Sequence, residues 1–177
     1  MVEFIPFQKI PRLSRQCIIT EKLDGTNASI YIGEKGEFLV GSRTRWITPE
    51  SDNYGFARWA YGNQKELSSL GIGHHFGEWW GNGIQRGYNL SKKQFSLFNT
   101  SRWNSETIPK CCSVVPVLYS GIFESNIIEK VLNSLILNGS VASEGFMNPE
   151  GIIVYHEASR SFFKKTIEKD EAPKGIK

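Results

Sequence analysis

Glu21-Lys22-Leu23-Asp24-Gly25-Thr26-Asn27 is a short polar segment set between two runs of β-forming residues. Cys17-Ile18-Ile19-Thr20 precedes it and Ala28-Ser29-Ile30-Tyr31-Ile32 follows it. Branched and aromatic side chains of this kind favour extended backbone, so the reading is strand, tight turn, strand. Lys22 then stands at a strand end with an Asp-Gly turn behind it, and Asn27 opens the next strand. An ordinary lysine is protonated at neutral pH and attacks nothing until desolvation or neighbouring cations lower its pKa. K-x-D-G in isolation is most often a surface turn. Whether Lys22 is a nucleophile or a solvated charge therefore depends on what the rest of the chain brings to it.

Beyond this segment, Glu37-Phe38-Leu39-Val40 follows the turn Gly33-Glu34-Lys35-Gly36, which makes the first part of the chain a strand meander. Phe56, Trp59, Ala60, Leu67 and Leu70 fit a helical stretch ended by Gly71 or Gly73, with Gly62 as its weak point. His75-Phe76-Gly77-Glu78-Trp79-Trp80, Phe95-Ser96-Leu97-Phe98 and Val114-Val115-Pro116-Val117-Leu118 predict further strands. Ser125 is the expected N-cap of a helix with apolar positions Ile127, Ile128, Val131, Leu132, Leu135 and Ile136, closed by Gly139. Ile152-Ile153-Val154-Tyr155 and Phe162-Phe163-Lys164-Lys165-Thr166-Ile167 add two strands before a polar tail from Lys169. Many strands with two or so helices, and no regular alternation of the two, specify an α+β domain built on antiparallel sheet. One domain over residues 1–177 is expected, a length that can bury its own core.

The formal net charge is only +3, from 21 Lys+Arg and 18 Asp+Glu, so an anionic partner is permitted but not required. Aromatics make up 12% of the residues, suiting either a packed core or rings that stack on bases; Trp46, Trp59 and Trp103 are assigned to packing. Cys17, Cys111 and Cys112 lack zinc-site or disulfide-scaffold spacing, and His74, His75 and His156 lack metal-ligand spacing. The start Met1-Val2-Glu3-Phe4-Ile5-Pro6 is not a secretory leader, and no apolar run approaches a membrane span. The expectation is a cytoplasmic protein with no membrane association. Neither G-x-x-x-x-G-K-[ST] nor G-x-G-x-x-G occurs, so a bound nucleotide must be held by another device.

Residues 21–27 resemble motif I, K-x-D-G, of the covalent nucleotidyltransferases, which comprise ATP- and NAD-dependent ligases and the GTP-using mRNA capping enzymes. Five further segments follow in that family's order. Ser42-Arg43-Thr44 resembles motif Ia and Phe76-Gly77-Glu78-Trp79-Trp80-Gly81 motif III. Leu97-Phe98-Asn99 resembles motif IIIa, Glu150-Gly151-Ile152-Ile153-Val154 motif IV, and Phe163-Lys164-Lys165-Thr166 motif V. The extended form K-L-D-G-T-N, Lys22 to Asn27, is similar to the small ATP-using RNA ligases of phage type. DNA ligases and capping enzymes normally append an OB-fold, which is not expected here. An ATP-dependent DNA ligase and a non-catalytic relative remain the alternatives.

The resemblance implies an antiparallel-sheet nucleotidyltransferase fold, akin to ATP-grasp adenylation domains, with AMP between sheets. It makes Lys22 the amine that takes AMP from ATP, and Lys164 a second cation that neutralises the α-phosphate. Glu21, Asn27, Arg43, Glu78, Phe98, Glu150 and Lys164 would surround the nucleotide: Phe98 stacked on the base, Glu78 on the ribose hydroxyls, Arg43 on ribose or an incoming phosphate. Glu150 would hold a divalent cation, Mg²⁺ or Mn²⁺. The implied partner is RNA with 5′-phosphate and 3′-hydroxyl ends, DNA being possible, with a partner protein able to supply a second domain. By periodicity alone Phe98 would be core, and Arg43 a strand-end charge or a cross-sheet partner of Glu78. The family pattern K-x-K has Thr166 in place of its second lysine, leaving Thr166, Lys165 or Lys174 to fill that role. Neighbours on a strand face opposite ways, so only one of Lys164 and Lys165 can point into the site. Gln85-Arg86-Gly87-Tyr88 is either a phosphate or RNA contact or a plain loop.

Overall fold

Gln16–Lys22 forms β1 and Thr26–Ile32 forms β2, but the two are not paired with each other. In this computed structural model, which describes residues 1–171, the turn between them passes the chain from one sheet to another. The meander expected from residue 17 onward therefore begins only at β2, which pairs with β3 (Phe38–Ser42), itself paired with β4 (Trp46–Ile47). On the other side β2 pairs with β5 (Gly73–Gly81), and β5 with β6 (Lys93–Leu97). The parallel β7 (Ser113–Val114) completes a six-stranded sheet of order β4-β3-β2-β5-β6-β7. The second sheet contains β1, β8 (Val117–Ile122), β9 (Gly151–His156) and β10 (Ser161–Thr166) in the antiparallel order β10-β9-β1-β8. The α+β, mostly antiparallel architecture is the one expected.

The single strand expected over Val114–Leu118 is two strands in different sheets. Val115 still donates its N–H to Leu97 of the larger sheet at 3.1 Å, while the Pro116 carbonyl accepts from Glu21 of the smaller one at 3.0 Å. Proline has no N–H with which to continue a ladder, which suits it to the changeover. The expected helix over residues 56–70 is also divided, into α1 (Phe56–Gly62), α2 (Gln64–Leu67) and a 3₁₀ turn at Ser68–Leu70. The break falls at Gly62-Asn63, and Gly71, at φ 81°, ends the run. The helix α3 spans Ile127–Asn138 with Gly139 at φ 81° after it, as expected. Its N-cap is Asn126 rather than Ser125, and no side chain caps it.

Alternation along the strands separates two cores. Ala28, Ile30, Val40, Phe95 and Leu97 face Phe56, Ala57, Ala60, Leu67 and Leu70 of the α1–α2 region. Cys17, Ile19, Ile152 and Val154 of the smaller sheet face Val131, Leu132 and Leu135 of α3. A third, smaller cluster of Leu23, Trp80, Tyr88, Val115 and Phe146 lies where the chain changes sheets. Each large side chain so buried contributes about 1.5–3 kcal/mol of apolar transfer free energy, which gives the turn after Lys22 a fixed floor. Among the described residues no helix is long and apolar enough to cross a membrane.

Candidate active site

The alternation that buries Cys17, Ile19 and Glu21 on the α3 side of β1 turns Lys22 to the opposite face. There its Nζ lies 2.6 Å from Glu150 Oε2, with the two side chains only 15% and 7% exposed. Glu150 is fixed by register, because it directly precedes Gly151, the β9 partner of Lys22. Gly151 sits at φ 152°, and a Cβ there would run into the carbonyl of Lys165. No side chain therefore intervenes between Lys22 on one flank and Thr166, the β10 partner of Gly151, on the other.

The same register settles the orientation of the two lysines of β10. Lys164 pairs with Ile153, itself opposite Thr20, and so shares the Lys22 face. Lys165 pairs with Ile152 on the α3 face and is held by Asp170 at 3.1 Å. Thr166, in the row with Lys22, gives its N–H to Asp170 at 2.8 Å, with its hydroxyl 3.3 Å from the same oxygen. Lys174 lies outside the described residues.

The turn itself is braced at every polar position. The Asp24 N–H donates to the Tyr88 hydroxyl at 2.9 Å, and the Asp24 carboxylate receives Arg86 Nε at 3.0 Å. The Arg86 guanidinium also donates to Asn148, to the carbonyl at 3.1 Å and to Oδ1 at 2.6 Å. Motif I is thereby clamped to the loop that leads into Glu150. Gly25 donates to Glu78 Oε1 at 3.1 Å, and Asn27 Nδ2 donates to Glu78 Oε2 at 3.1 Å. A Cβ at Gly25 would collide with the Trp79 carbonyl and the Trp80 side chain, so only glycine lets the turn lie this close to β5. Burial pushes the Tyr88 phenol well above its usual pKa, keeping it a neutral hydroxyl.

Beyond Asn27 the larger sheet opens into a cleft of about 190 Å³, lined by Asn27, Ser29, Ser42, Arg43, Phe76 and Phe98 among others. The strand β6 ends at Leu97, which is 1% exposed, whereas Phe98 is 41% exposed. Phe98 is thus a ring presented to the cleft and not a core residue. Arg43 is exposed on the cleft wall. Among the described residues no cluster of three or more His, Cys, Asp or Glu could enclose a metal ion. Glu150 beside Lys22 does fit a hard cation held by one or two carboxylates together with substrate phosphates.

Glu21 is the expected nucleotide contact that the structure places elsewhere. Its carboxylate, on the far face of β1, accepts from the Ser140 hydroxyl at 2.6 Å and from the N–H groups of Val141 and Ala142 at 2.8 and 2.9 Å. Burial raises its pKa, against the lowering effect of those three donors. Its side chain anchors a loop and does not face Lys22. Arg86 and Tyr88 brace the turn; the run Gln85-Arg86-Gly87-Tyr88 signalled them, whereas nothing in the sequence marked Asn148 or Ser140. Trp103 is 9% exposed, in keeping with packing, but Trp46 is 50% exposed, against the packing role expected for it.

Two mostly antiparallel sheets, joined at a lysine-bearing turn beside an aromatic and cationic cleft, define a nucleotidyltransferase-type domain. A family model described as RNA ligase matches residues 15–169, and the chain belongs to the RNA ligase family. Among solved structures, a mutant of Naegleria gruberi RNA ligase with ATP and Mn has 19% identity and a TM-score of 0.63, covering 86% of this chain and 49% of that one. A mutant of the same enzyme with AMP and Mn has 16% identity and a TM-score of 0.57, covering 87% and 50%. The enzyme with pyrophosphate has 17% identity and a TM-score of 0.58, covering 86% and 50%. The likeness is one of fold, and the chain spans about half the length of these ligases. A comparison with curated proteins finds no match.

Proposed function

We propose that the protein is an ATP-dependent RNA ligase that works through a covalent Lys22–AMP adduct. The observation that carries this is the Lys22–Glu150 pair at 2.6 Å, at one end of a braced turn whose other end, Asn27, lines the aromatic cleft. Mutants of the Naegleria gruberi enzyme have been solved with ATP and with AMP, and the enzyme with pyrophosphate, which are the nucleotide, the group transferred and the leaving group of such a step. In this reading the base lies against Phe98 and the ribose toward Asn27, Glu78 and Arg43, which directs the α-phosphate to Lys22. The Lys22 ammonium gives up a proton, with Glu150 in reach to accept it. The N–P bond then forms as the bond to pyrophosphate breaks. AMP passes next to an RNA 5′-phosphate, and a 3′-hydroxyl displaces it to form the phosphodiester.

Phosphoryl transfer of this kind depends on positioning and charge neutralisation. Lys164, on the Lys22 face of β10, supplies one positive charge for the phosphate. A divalent cation, Mg²⁺ or Mn²⁺, would be held by Glu150 and the phosphates and would offset charge on the departing pyrophosphate. The test is incubation with Mg²⁺ and α-labelled ATP, followed by denaturing electrophoresis. Label on the protein that is absent from Lys22→Ala supports the reading, and no label from ATP on the wild-type protein overturns it. A 5′-phosphorylated RNA, compared with the same DNA sequence, then identifies the strand sealed.

A further inference from the structure

The face of the larger sheet that carries Phe76 continues, away from the cleft, as a row of rings. His74 and Phe76, two residues apart in β5, have centroids 5.9 Å apart and planes within 8° of parallel. Trp46 of β4 lies 6.2 Å from His74 with planes 23° apart. Tyr31 of β2 lies beside both, its centroid 4.6 Å from that of His74 and 6.4 Å from that of Trp46, with its plane tilted 41° and 53° from theirs. Register produces the row: Tyr31 is opposite His74, Ser29 opposite both Phe76 and Gly41, and Gly41 opposite Trp46. A Cβ at Gly41 would come within 3.3 Å of the Trp46 ring, so the glycine lets the indole lie down against the strand.

None of these rings belongs to the buried core. The helices α1 and α2 cover the opposite face, where Ile30 and Val40 are buried. On this face Trp46 is 50% and Phe76 58% exposed. A contiguous exposed apolar patch of this kind marks an interaction site. Exposed aromatic rings on a sheet, as Trp46, His74 and Phe76 are with their planes 8–23° apart from one to the next, are the means by which sheet-based RNA-binding modules stack unpaired bases.

Charge and continuity choose between a nucleic acid and an apolar protein partner. Arg43 and Arg45 flank the row in the loop before Trp46, and among the described residues no carboxylate forms an ion pair with either. Phe76 belongs both to the row and to the cleft wall, so a strand lying on the rings runs directly into the proposed adenylation site. We propose that Trp46, Tyr31, His74 and Phe76 form a stacking platform for unpaired bases of the RNA strand, so that the strand is single where it approaches the cleft. This rests on the RNA ligase reading for the identity of the nucleic acid, while the stacking rests on the rings alone.

The experiment is a fluorescence-anisotropy titration with a short 5′-phosphorylated single-stranded RNA and with a blunt RNA duplex of equal length, at physiological salt. Trp46→Ala and Trp46→Ala with His74→Ala are compared with wild type and with Trp46→Phe, and thermal midpoints confirm that each variant is folded. Loss of one stacked base is expected to weaken single-strand binding about tenfold. Trp46→Phe should recover most of that loss, and the duplex should be unaffected. Wild-type affinity for the single strand in the double variant overturns the platform, as does an equal loss for strand and duplex. Failure of wild-type protein to take label from ATP would instead remove the ligase reading and leave the titration interpretable.

Discussion

Glu150→Gln removes the charge that faces Lys22 while keeping the shape of the side chain. The pair meets at 2.6 Å with side chains 15% and 7% exposed, much nearer to a buried ion pair than to a surface one. Removing one partner from a buried pair costs about 3–5 kcal/mol, and an exposed pair contributes about 0–1 kcal/mol. The residual exposure of Lys22 places the expected cost of Glu150→Gln at about 2–3 kcal/mol, because the ammonium keeps some contact with water. Lys22→Met removes the other half of the same contact and is the second single variant of the cycle. The double variant loses the shared contact only once, so it should be less destabilised than the sum of the singles, with a coupling of about 2 kcal/mol. Equilibrium urea denaturation of the four proteins measures this cycle directly. A coupling below about 0.5 kcal/mol would show that the two groups act independently and would refute the view that Glu150 holds the lysine in place.

Arg86→Ala should lower the rate of label transfer to Lys22 by about 10- to 100-fold, since the turn loses its tie to Asn148 and drifts from its attacking position. Arg86→Lys should not restore the rate, because an ammonium cannot make the forked contact, and equilibrium ATP binding should change much less than the rate in both variants. His75, 4% exposed with Nε2 2.8 Å from the Gly71 carbonyl, has its pKa lowered by burial from 6.5. A depressed histidine contributes stability that is present above about pH 6.5 and lost as pH falls through the lower folded-state value. Thermal midpoints of wild type should therefore fall more steeply below that pH than those of His75→Gln, and parallel curves would count against the assignment.

The strands and α3 were legible because their signals are local: β-branched runs bounded by glycine, and an apolar stripe ended by Gly139. Partnership between strands is not a local property. Nothing in Cys17–Thr20 and Ala28–Ile32 reveals that the runs belong to different sheets. That follows from Leu23 sinking into the third cluster at 3% exposure and from Gly25 pressing against β5. The role of Glu21 was hidden for the same reason, since its donor Ser140 stands 119 residues away in the chain. Phe98 and Lys164 were placed by family pattern where periodicity favoured core or surface, and the end of β6 and the β9–β10 register account for both placements. Trp46 defied its assignment because a tryptophan in a two-residue edge strand has little sheet to be buried by.

Among the described residues the chain passes between its two sheets twice, at Leu23–Gly25 and at Val115–Pro116, and the passages lie side by side through the Glu21–Pro116 hydrogen bond. Each sheet has its own core, so the molecule resembles two plates stitched at these passages and by the Arg86–Asn148 and Ser143–Tyr88 hydrogen bonds, with Lys22 as the last residue before the first passage. The distance between the amine and the cleft is therefore set by how these ties hold the two plates together. A ligand that touches the cleft wall on one plate and Lys22 on the other adds a tie between the plates, and because that site exists only in the folded protein its binding stabilises the whole fold by mass action.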